Sequence, residues 1–177
     1  MNQPKALIGS FIQAIGTVTS AVGSIPSLSD KKQFALDLWG NVLQGTGNAL
    51  EADAETSDTL GGYGNEIQAI GNITVIAGLL SNEGDRLEIT GNWLQSLGGL
   101  ISVADDWEDK QSSVLNPIGN LLQAIGNALQ AIGGIYEERG NKTEGQSLSI
   151  IGSWVQAIGS ILCFLNQLKK TTPLKEG

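Results

Sequence analysis

The chain has 177 residues, enough for one compact domain, with a formal net charge of -8, no histidine and one cysteine. The negative charge argues against nucleic acid as a partner, because a phosphate backbone would be repelled. The missing histidine excludes the usual Ser-His and Cys-His nucleophiles, and Cys163, in an apolar run, is expected to be a small buried side chain.

Acid-rich polar interruptions divide the chain into six segments, which repeat at about 27 residues. Most segments begin with residues that favour helix starts, such as Asp30, Ser57 or Asp58, and Asn116-Pro117. The sequence therefore predicts an all-α fold, an antiparallel bundle or array of about six helices that forms a single domain over 1–177. The helices are predicted near 4–25, 30–53, 57–81, 85–108, 116–139 and 143–169.

One eight-residue motif, Gly-(Asn/Ser)-x-(Ile/Leu/Val)-Gln-(Ala/Ser/Gly)-(Ile/Leu/Thr)-Gly, recurs seven times along these helices. At about 100° per residue its two glycines fall on the same side of a helix, and its apolar positions cover a wide face near 200–300°. Its glutamine, near 40°, and its Asn or Ser, near 100°, form a narrow polar side. We expect each helix to need neighbours on more than one side.

Glycine inside a helix lowers the stability of the helix by about 1 kcal/mol relative to alanine. The many helical glycines therefore need a compensating role. Close approach of two backbones along a glycine seam would supply it through added dispersion contacts. The predicted helix-packing seam consists of Gly9, Gly16, Gly40, Gly47, Gly64, Gly71, Gly91, Gly98, Gly119, Gly126, Gly133, Gly152 and Gly159.

The glutamines of the motif are expected to form a neutral stripe that is solvated or lies between helices. The alternatives are a binding row and a ladder of side-chain hydrogen bonds between helices. These residues are Gln13, Gln44, Gln68, Gln95, Gln123, Gln130 and Gln156.

A β-solenoid is the alternative to the helical fold, since Gly-Asn is also a turn dipeptide. The residues between the glycines are mostly Ala, Leu and Gln rather than β-branched or aromatic, and they do not alternate strictly. The helical interpretation is therefore favoured.

No motif for catalysis, a cofactor or a metal is evident. The sequence has no P-loop and no Glu-x-x-His motif of the kind that holds diiron centres in helical bundles. Two acidic groups lack the spacing of an EF-hand and are expected to be solvated helix ends that share one end of the bundle with the lysines of both termini. The acids are Glu51, Asp53, Glu55, Asp58, Asp105, Asp106, Glu108 and Asp109, and the lysines are Lys5, Lys169, Lys170 and Lys175.

Two functions fit this pattern. The first is a non-catalytic structural or interaction protein that associates with itself, or with another helical protein, through the repeated glycine and aliphatic faces. The second is a membrane-active or pore-forming helical protein that is soluble before insertion, because residues 6–29, 116–136 and 145–168 contain no charged side chain. Each of these windows also holds Gln, Asn, Ser and Gly, so the soluble assembly is favoured and the membrane is the second choice.

The Gly-Asn-x-Leu-Gln-Ala-Ile-Gly repeats, as in residues 119–133, resemble a group of small repetitive proteins of Bacillus and related spore-formers. The resemblance extends over the repeats along most of the chain and brings no activity, cofactor or catalytic residue with it. It implies a bacterial setting that is intracellular or linked to sporulation. A cytoplasmic location is expected, because no signal peptide is evident.

Overall fold

A computed structural model describes residues 1–55, 58–81, 84–108 and 113–171 of the chain. Within these ranges the chain forms helices and no strands, which confirms the predicted all-α bundle. The helices are α1 (Gln3–Gly23), α2 (Asp30–Ala54), α3 (Leu60–Leu79), α4 (Gly84–Glu108), α5 (Leu115–Glu138) and α6 (Lys142–Thr171). Their ends lie within a few residues of the predicted ones, although the predicted start of the third helix at 57 falls outside the described residues.

Several helix ends are fixed by local polar groups. The side chain of Asn2 accepts a hydrogen bond from the backbone N–H of Lys5 at the start of α1, and that of Thr59 accepts one from Gly62 at the start of α3. After α5, Gly140 adopts a left-handed conformation with φ of 88°, and the N–H of Asn141 bonds to the carbonyl of Tyr136. This hydrogen bond satisfies an end carbonyl of α5 and turns the chain into α6.

The six helices run alternately up and down and form a closed ring. Each helix packs against the helices before and after it in the sequence, and α6 packs against α1. We call this ring the barrel. Its terminal end carries the start of α1 and the end of α6, and its distal end carries the α1–α2, α3–α4 and α5–α6 connections.

Two kinds of helix contact alternate around the barrel. The glycine sides meet within the pairs α1/α2, α3/α4 and α5/α6, and the Asn or Ser sides meet between pairs, as where the hydroxyls of Thr17 in α1 and Ser160 in α6 lie 2.5 Å apart. On the helical wheel these two contact sides are about 120° apart, which is the internal angle of a hexagon. The glutamine near 40° bisects that angle and therefore points at the axis of the barrel.

The polarity of the barrel is the reverse of that of an ordinary soluble bundle. The fully buried side chains of largest volume are Gln, Asn, Thr and Ser, and the buried apolar residues are mostly alanines. The expectation that each helix has neighbours on more than one side is confirmed, but those neighbours leave much of the wide apolar face exposed. The glycine contacts fix the orientation of each helix, so the opposite, aliphatic side is directed outwards.

Candidate functional site

The predicted seam glycines all lie where two backbones approach each other within a helix pair. A β-carbon at Gly126 would lie 2.6 Å from the carbonyl oxygen of Gly152, and one at Gly16 would lie 2.7 Å from that of Gly40. No side chain fits at such distances. The facing glycines are Gly9 and Gly47, Gly16 and Gly40, Gly64 and Gly98, Gly71 and Gly91, Gly119 and Gly159, Gly126 and Gly152, and Gly133 opposite Gly145.

Three glycines of the same kind were missed by the sequence reasoning. Gly145 lies opposite Gly133, and Gly78 lies opposite Gly84 near the distal end. Each of the three is seven residues from a glycine of the motif, so continuing the heptad step past the repeats would have found them.

The motif glutamines form a layer across the middle of the barrel, which we call the glutamine layer. Six of its seven members are buried, and Gln130 is half-buried. The amide of Gln156 in α6 donates to Gln44 of α2 at 2.8 Å and to Gln95 of α4 at 3.4 Å, and Gln13 of α1 donates to Gln123 of α5 at 3.0 Å. These pairs join helices that are not neighbours in the ring, so the bonds cross the axis of the barrel and the bonded side chains block it.

The expectation of a solvated stripe is therefore wrong, whereas an interhelical position and the alternative of a ladder of side-chain hydrogen bonds between helices are confirmed for all the motif glutamines except Gln68. In the layer, Gln156 accepts a bond from Gln130 at 2.9 Å in addition to donating its own. Gln68 of α3 differs, because its amide bonds to Asn65 of the same helix and not across the axis.

The interior also contains buried amides without a partner in the described part of the chain. Both side-chain amide atoms of Asn127 and of Asn166 are buried and unpaired, as is the side-chain oxygen of Asn72. Leaving such groups unsatisfied costs roughly 1–3 kcal/mol each. This interior therefore suits water or another polar species better than close apolar packing.

A cavity of about 430 Å³ lies inside the distal end of the barrel, and all six helices line it. Its wall contains Asp30 and Asp85, which are exposed, so the cavity reaches the solvent. No lysine or arginine lines it among the described residues. The acidic side chains of this distal cavity are Asp30, Asp37, Asp85, Glu88 and Glu137.

A second cavity, of about 200 Å³, lies inside the terminal end, and all six helices contribute to its wall. Asp106 accepts hydrogen bonds there from Asn116 at 2.7 Å and Asn120 at 2.9 Å. One carboxylate oxygen of Glu51 is buried in this wall without a partner among the described residues. The charged residues of this terminal cavity are Glu51, Glu55, Asp105, Asp106 and Lys170.

The acidic groups predicted to be solvated helix ends are thus divided between the surface and the interior. Asp53 is on the surface, where it pairs with Lys5 at 2.5 Å, whereas Glu51 and Asp106 face the cavity. The predicted positions of Asp109 and Lys175, and the side chain of Glu108, lie outside what the structure describes.

Burial and nearby negative charges favour the protonated form of one carboxyl in each cavity, Glu88 in the distal cavity and Glu51 in the terminal cavity. Burial raises the pKa of Glu88 to about 7, with further increases from the charges of Asp37, Asp85 and Glu137. Burial also raises the pKa of Glu51 to about 8, with a smaller contribution from Glu55. Both carboxyls lie outside the uncharged central stretches of their helices, so the negative charge at each end of the barrel depends on pH near neutrality.

Cys163 is buried, as predicted, and its thiol lies 3.8 Å from the carbonyl oxygen of Asn116. Among the described residues no group of three or more His, Cys, Asp or Glu side chains could hold a metal ion.

The comparison with known families is informative about membership alone. A model for a family of unknown function, DUF6944, matches residues 4–164. The chain belongs to this family. No curated protein matches the chain, and no solved structure does either. The matched range runs from α1 into α6, so the DUF6944 match takes in all six helices of the barrel.

The outer surface of this DUF6944 barrel carries large apolar side chains on every helix. Ile73 in α3 is 63% exposed, Trp39 in α2 is 62% exposed and Ile158 in α6 is 53% exposed. We call this surface the apolar band. Its members include Ile8, Phe11, Ile15, Trp39, Ile70, Ile73, Trp93, Leu97, Leu100, Ile118, Leu121, Ile125, Ile151, Trp154, Ile158, Ile161 and Leu165.

Hydropathy alone detects only part of this arrangement. Among the described residues two helices, α1 and α6, are long and apolar enough to cross a membrane, with mean hydropathies of 1.5 and 1.8. A core helix of a soluble protein can pass the same test. Averaging along a helix hides the apolar band on the other four helices, because their inward Gln, Asn and Gly residues lower the mean.

Proposed function

We propose that the protein is a membrane-inserted helical barrel, with the apolar band in contact with lipid. The observation that carries this proposal is that the apolar band surrounds the whole barrel, with members on all six helices. A contact with another protein would cover one side of the barrel, whereas a bilayer covers its full circumference. Contiguous exposed apolar surface of this extent is typical of a membrane or protein contact.

The height of the band matches a bilayer. With the cavity-lining acids of α2 set aside, the uncharged stretches within the helices run from 13 residues in α3 (67–79) to 24 in α6 (145–168). At 1.5 Å per residue these are about 20 Å and about 36 Å long. In α2 the acids Asp37 and Glu51 line the two cavities, so they do not interrupt its outer face. The hydrocarbon core of a bilayer is about 30 Å thick, within this range.

The charges and several aromatic residues lie at the two ends of the barrel, where a bilayer has its headgroups. Trp107, which is 80% exposed, and Tyr63 lie at the terminal end, and Tyr136 lies at the distal end. Trp and Tyr are enriched at membrane interfaces because their rings are amphipathic. Trp93 and Trp154 lie within the band instead and do not contribute to this argument.

Flotation with lipid tests the proposal. The purified protein is mixed with vesicles of phosphatidylcholine and phosphatidylglycerol and centrifuged through a density gradient at high salt. We expect the wild type to float with the vesicles. We expect the double variant Ile73→Asp/Ile158→Asp to remain largely at the bottom, because an aspartate at the centre of a membrane helix costs about 2.5 to 3.5 kcal/mol.

The control is Val114→Asp, which places one such aspartate on a similarly exposed apolar residue at the terminal end, outside the helices. We expect this variant to float like the wild type. Equal flotation of all three proteins, or flotation of none at high salt, would contradict insertion of the apolar band.

Self-association is the second candidate, and a specific feature of the surface favours it. The rings of Phe11 in α1 and Phe164 in α6 lie 5.3 Å apart, and the exposed residues Ile8, Ile15 and Leu165 extend the patch around them. A second copy of the chain could cover this patch in a symmetric contact. A wild type that does not float and sediments as a defined oligomer in the absence of lipid would support this structural role and overturn the membrane proposal.

A further inference from the structure

The axis of the barrel has the features of a route for a small polar species. Its wall is largely polar, with the inward-facing glutamines of the glutamine layer between two cavities that are partly lined by carboxyl and amide side chains. Stability alone would favour an apolar axis, because a buried polar atom without a partner, such as the carboxylate oxygen of Glu51 in the terminal cavity, is costly. In channels, polar interiors of this kind replace part of the hydration shell of a permeating ion.

The charge of the two cavities indicates whether that species is a cation or an anion. The distal cavity is lined by five carboxyls and, in the described ranges, by no basic side chain. The terminal cavity is lined by four carboxyls and Lys170, and the buried, unpaired oxygen of Glu51 lies in its wall. Rings of Asp and Glu favour cations at the mouths of channels.

The glutamine layer separates the two cavities. Gln13 lies in the wall of the terminal cavity and Gln130 in that of the distal cavity, and the cross-axis bonds of Gln156 and Gln13 lie between them. Gln156 takes part in two of these bonds, to Gln44 and Gln95, and also accepts a bond from Gln130 of the neighbouring helix α5. It is the single residue whose loss opens the layer most.

We propose that the barrel axis is a passage for small cations and that the glutamine layer is its gate, closed in this conformation. This inference rests on the proposed membrane insertion, because a passage along the axis carries ions between compartments only if lipid surrounds the barrel. Opening requires the cross-axis amide bonds to separate, while the glycine contacts that join each helix to the other helix of its pair stay in place.

Potassium flux from vesicles tests the gate. Protein is reconstituted into phosphatidylcholine and phosphatidylglycerol vesicles loaded with potassium chloride, and K⁺ efflux is followed with an ion-selective electrode. We expect Gln156→Ala to raise efflux about tenfold or more over the wild type. The reason is that each neutral hydrogen bond lost lowers the equilibrium constant in favour of the closed conformation by a factor of roughly five. We expect Gln156→Asn, which keeps a shorter amide, to give an intermediate rate.

The matched control is Gln68→Ala, which removes a buried glutamine at the same position of the motif without removing a cross-axis bond. We expect its efflux to equal that of the wild type. Circular dichroism of all variants in vesicles shows whether the helices persist, and the milder Gln156→Asn variant keeps the test decisive where Gln156→Ala does not fold.

A charge variant tests the selectivity. In the Gln156→Ala protein we expect chloride, followed with a chloride-sensitive dye, to leave the vesicles at least about tenfold more slowly than K⁺, because carboxyl rings repel anions. We expect Asp37→Asn/Glu88→Gln in that background to reduce this preference.

Flotation is measured on the same vesicles, so a protein that floats but releases no K⁺ overturns the passage alone. A protein that does not float overturns membrane insertion and the passage together, and chloride efflux as fast as K⁺ efflux overturns the assigned cation.

Discussion

The tight pairing of α5 and α6 makes a sharp prediction about Gly126. In Gly126→Ala the new β-carbon would lie 2.6 Å from the carbonyl oxygen of Gly152 and 2.6 Å from the backbone nitrogen of Gln156. Both atoms belong to the backbone of α6, so rotation of a side chain cannot remove the contact. The two helices must move apart, or the substituted protein does not adopt this pairing.

The size of the effect follows from these distances. Non-bonded carbon contacts are favourable near 3.5 Å, so the helices must separate locally by about 0.9 Å, and a gap of that size forfeits up to about half of the attraction between facing atoms. Overpacking of this kind typically costs about 1–3 kcal/mol. The substitution also gains about 1 kcal/mol of helix propensity, so we expect a net loss of up to about 2 kcal/mol, with larger losses if α5 and α6 separate along their length.

Thermal unfolding, followed by circular dichroism in detergent micelles or vesicles, measures this loss, with Gly45→Ala as the control. Gly45 also lies inside a helix, but a β-carbon there would meet the β-carbon of Asn72 at 3.2 Å and no backbone atom closer than 3.9 Å. We expect Gly45→Ala to unfold at or slightly above the wild-type temperature and Gly126→Ala to unfold several degrees below it. If Gly126→Ala proves as stable as Gly45→Ala, the helices do not touch at the glycine seam and the barrel geometry described above is wrong.

Two further predictions concern ring closure and pH. Thr17→Val removes one of the two fully buried hydroxyls that meet between α1 and α6. In a denaturant titration it should lower the free energy of unfolding by about 1–2 kcal/mol. The control Thr19→Val should have little effect, because the hydroxyl of Thr19 bonds to Ile15 of its own helix. The second prediction concerns pH: the pKa of Glu88 is raised to about 7, so its carboxyl loses its proton as the pH passes neutrality. Because the cavity then becomes more negative, K⁺ efflux through the Gln156→Ala protein should rise from about pH 6 to about pH 8. Adding Glu88→Gln should flatten this rise. A falling profile, or one that Glu88→Gln leaves unchanged, would contradict the role given to this carboxyl.

Much of the fold could be predicted from the sequence because the motif encodes it directly. Interruptions rich in acids, together with residues such as Asn116-Pro117, gave helix ends close to those of the structure. The spacing of the motif glycines put them on one side of each helix, and the structure has them facing each other in pairs, as with Gly126 and Gly152. Both features depend only on local spacing, which a single sequence contains.

The direction in which each helix faces could not be predicted by the usual rule. That rule places the apolar side of a helix in the core because water is the assumed solvent. The sequence nevertheless contained a signal against the rule, since the side opposite the glutamines is free of charge over the central turns of every helix except α3, where Glu66 lies on it. In a soluble bundle such an outer side would carry Lys and Glu, as at Lys31 and Glu138 near the ends of this barrel.

The closed ring explains why glycine and glutamine occur together in one motif. A helix in a ring of six needs two contact sides about 120° apart, and the glycine and Asn/Ser positions supply them. The position that bisects them faces the axis, where a side chain must reach across the ring without leaving its polar atoms unpaired. Glutamine meets that need, because its amide both donates and accepts, as Gln156 does with Gln44 and Gln130. An aliphatic residue at this position would seal the axis permanently, whereas amide bonds can exchange with water or an ion, so the choice of glutamine favours a barrel whose axis opens over one built only for stability.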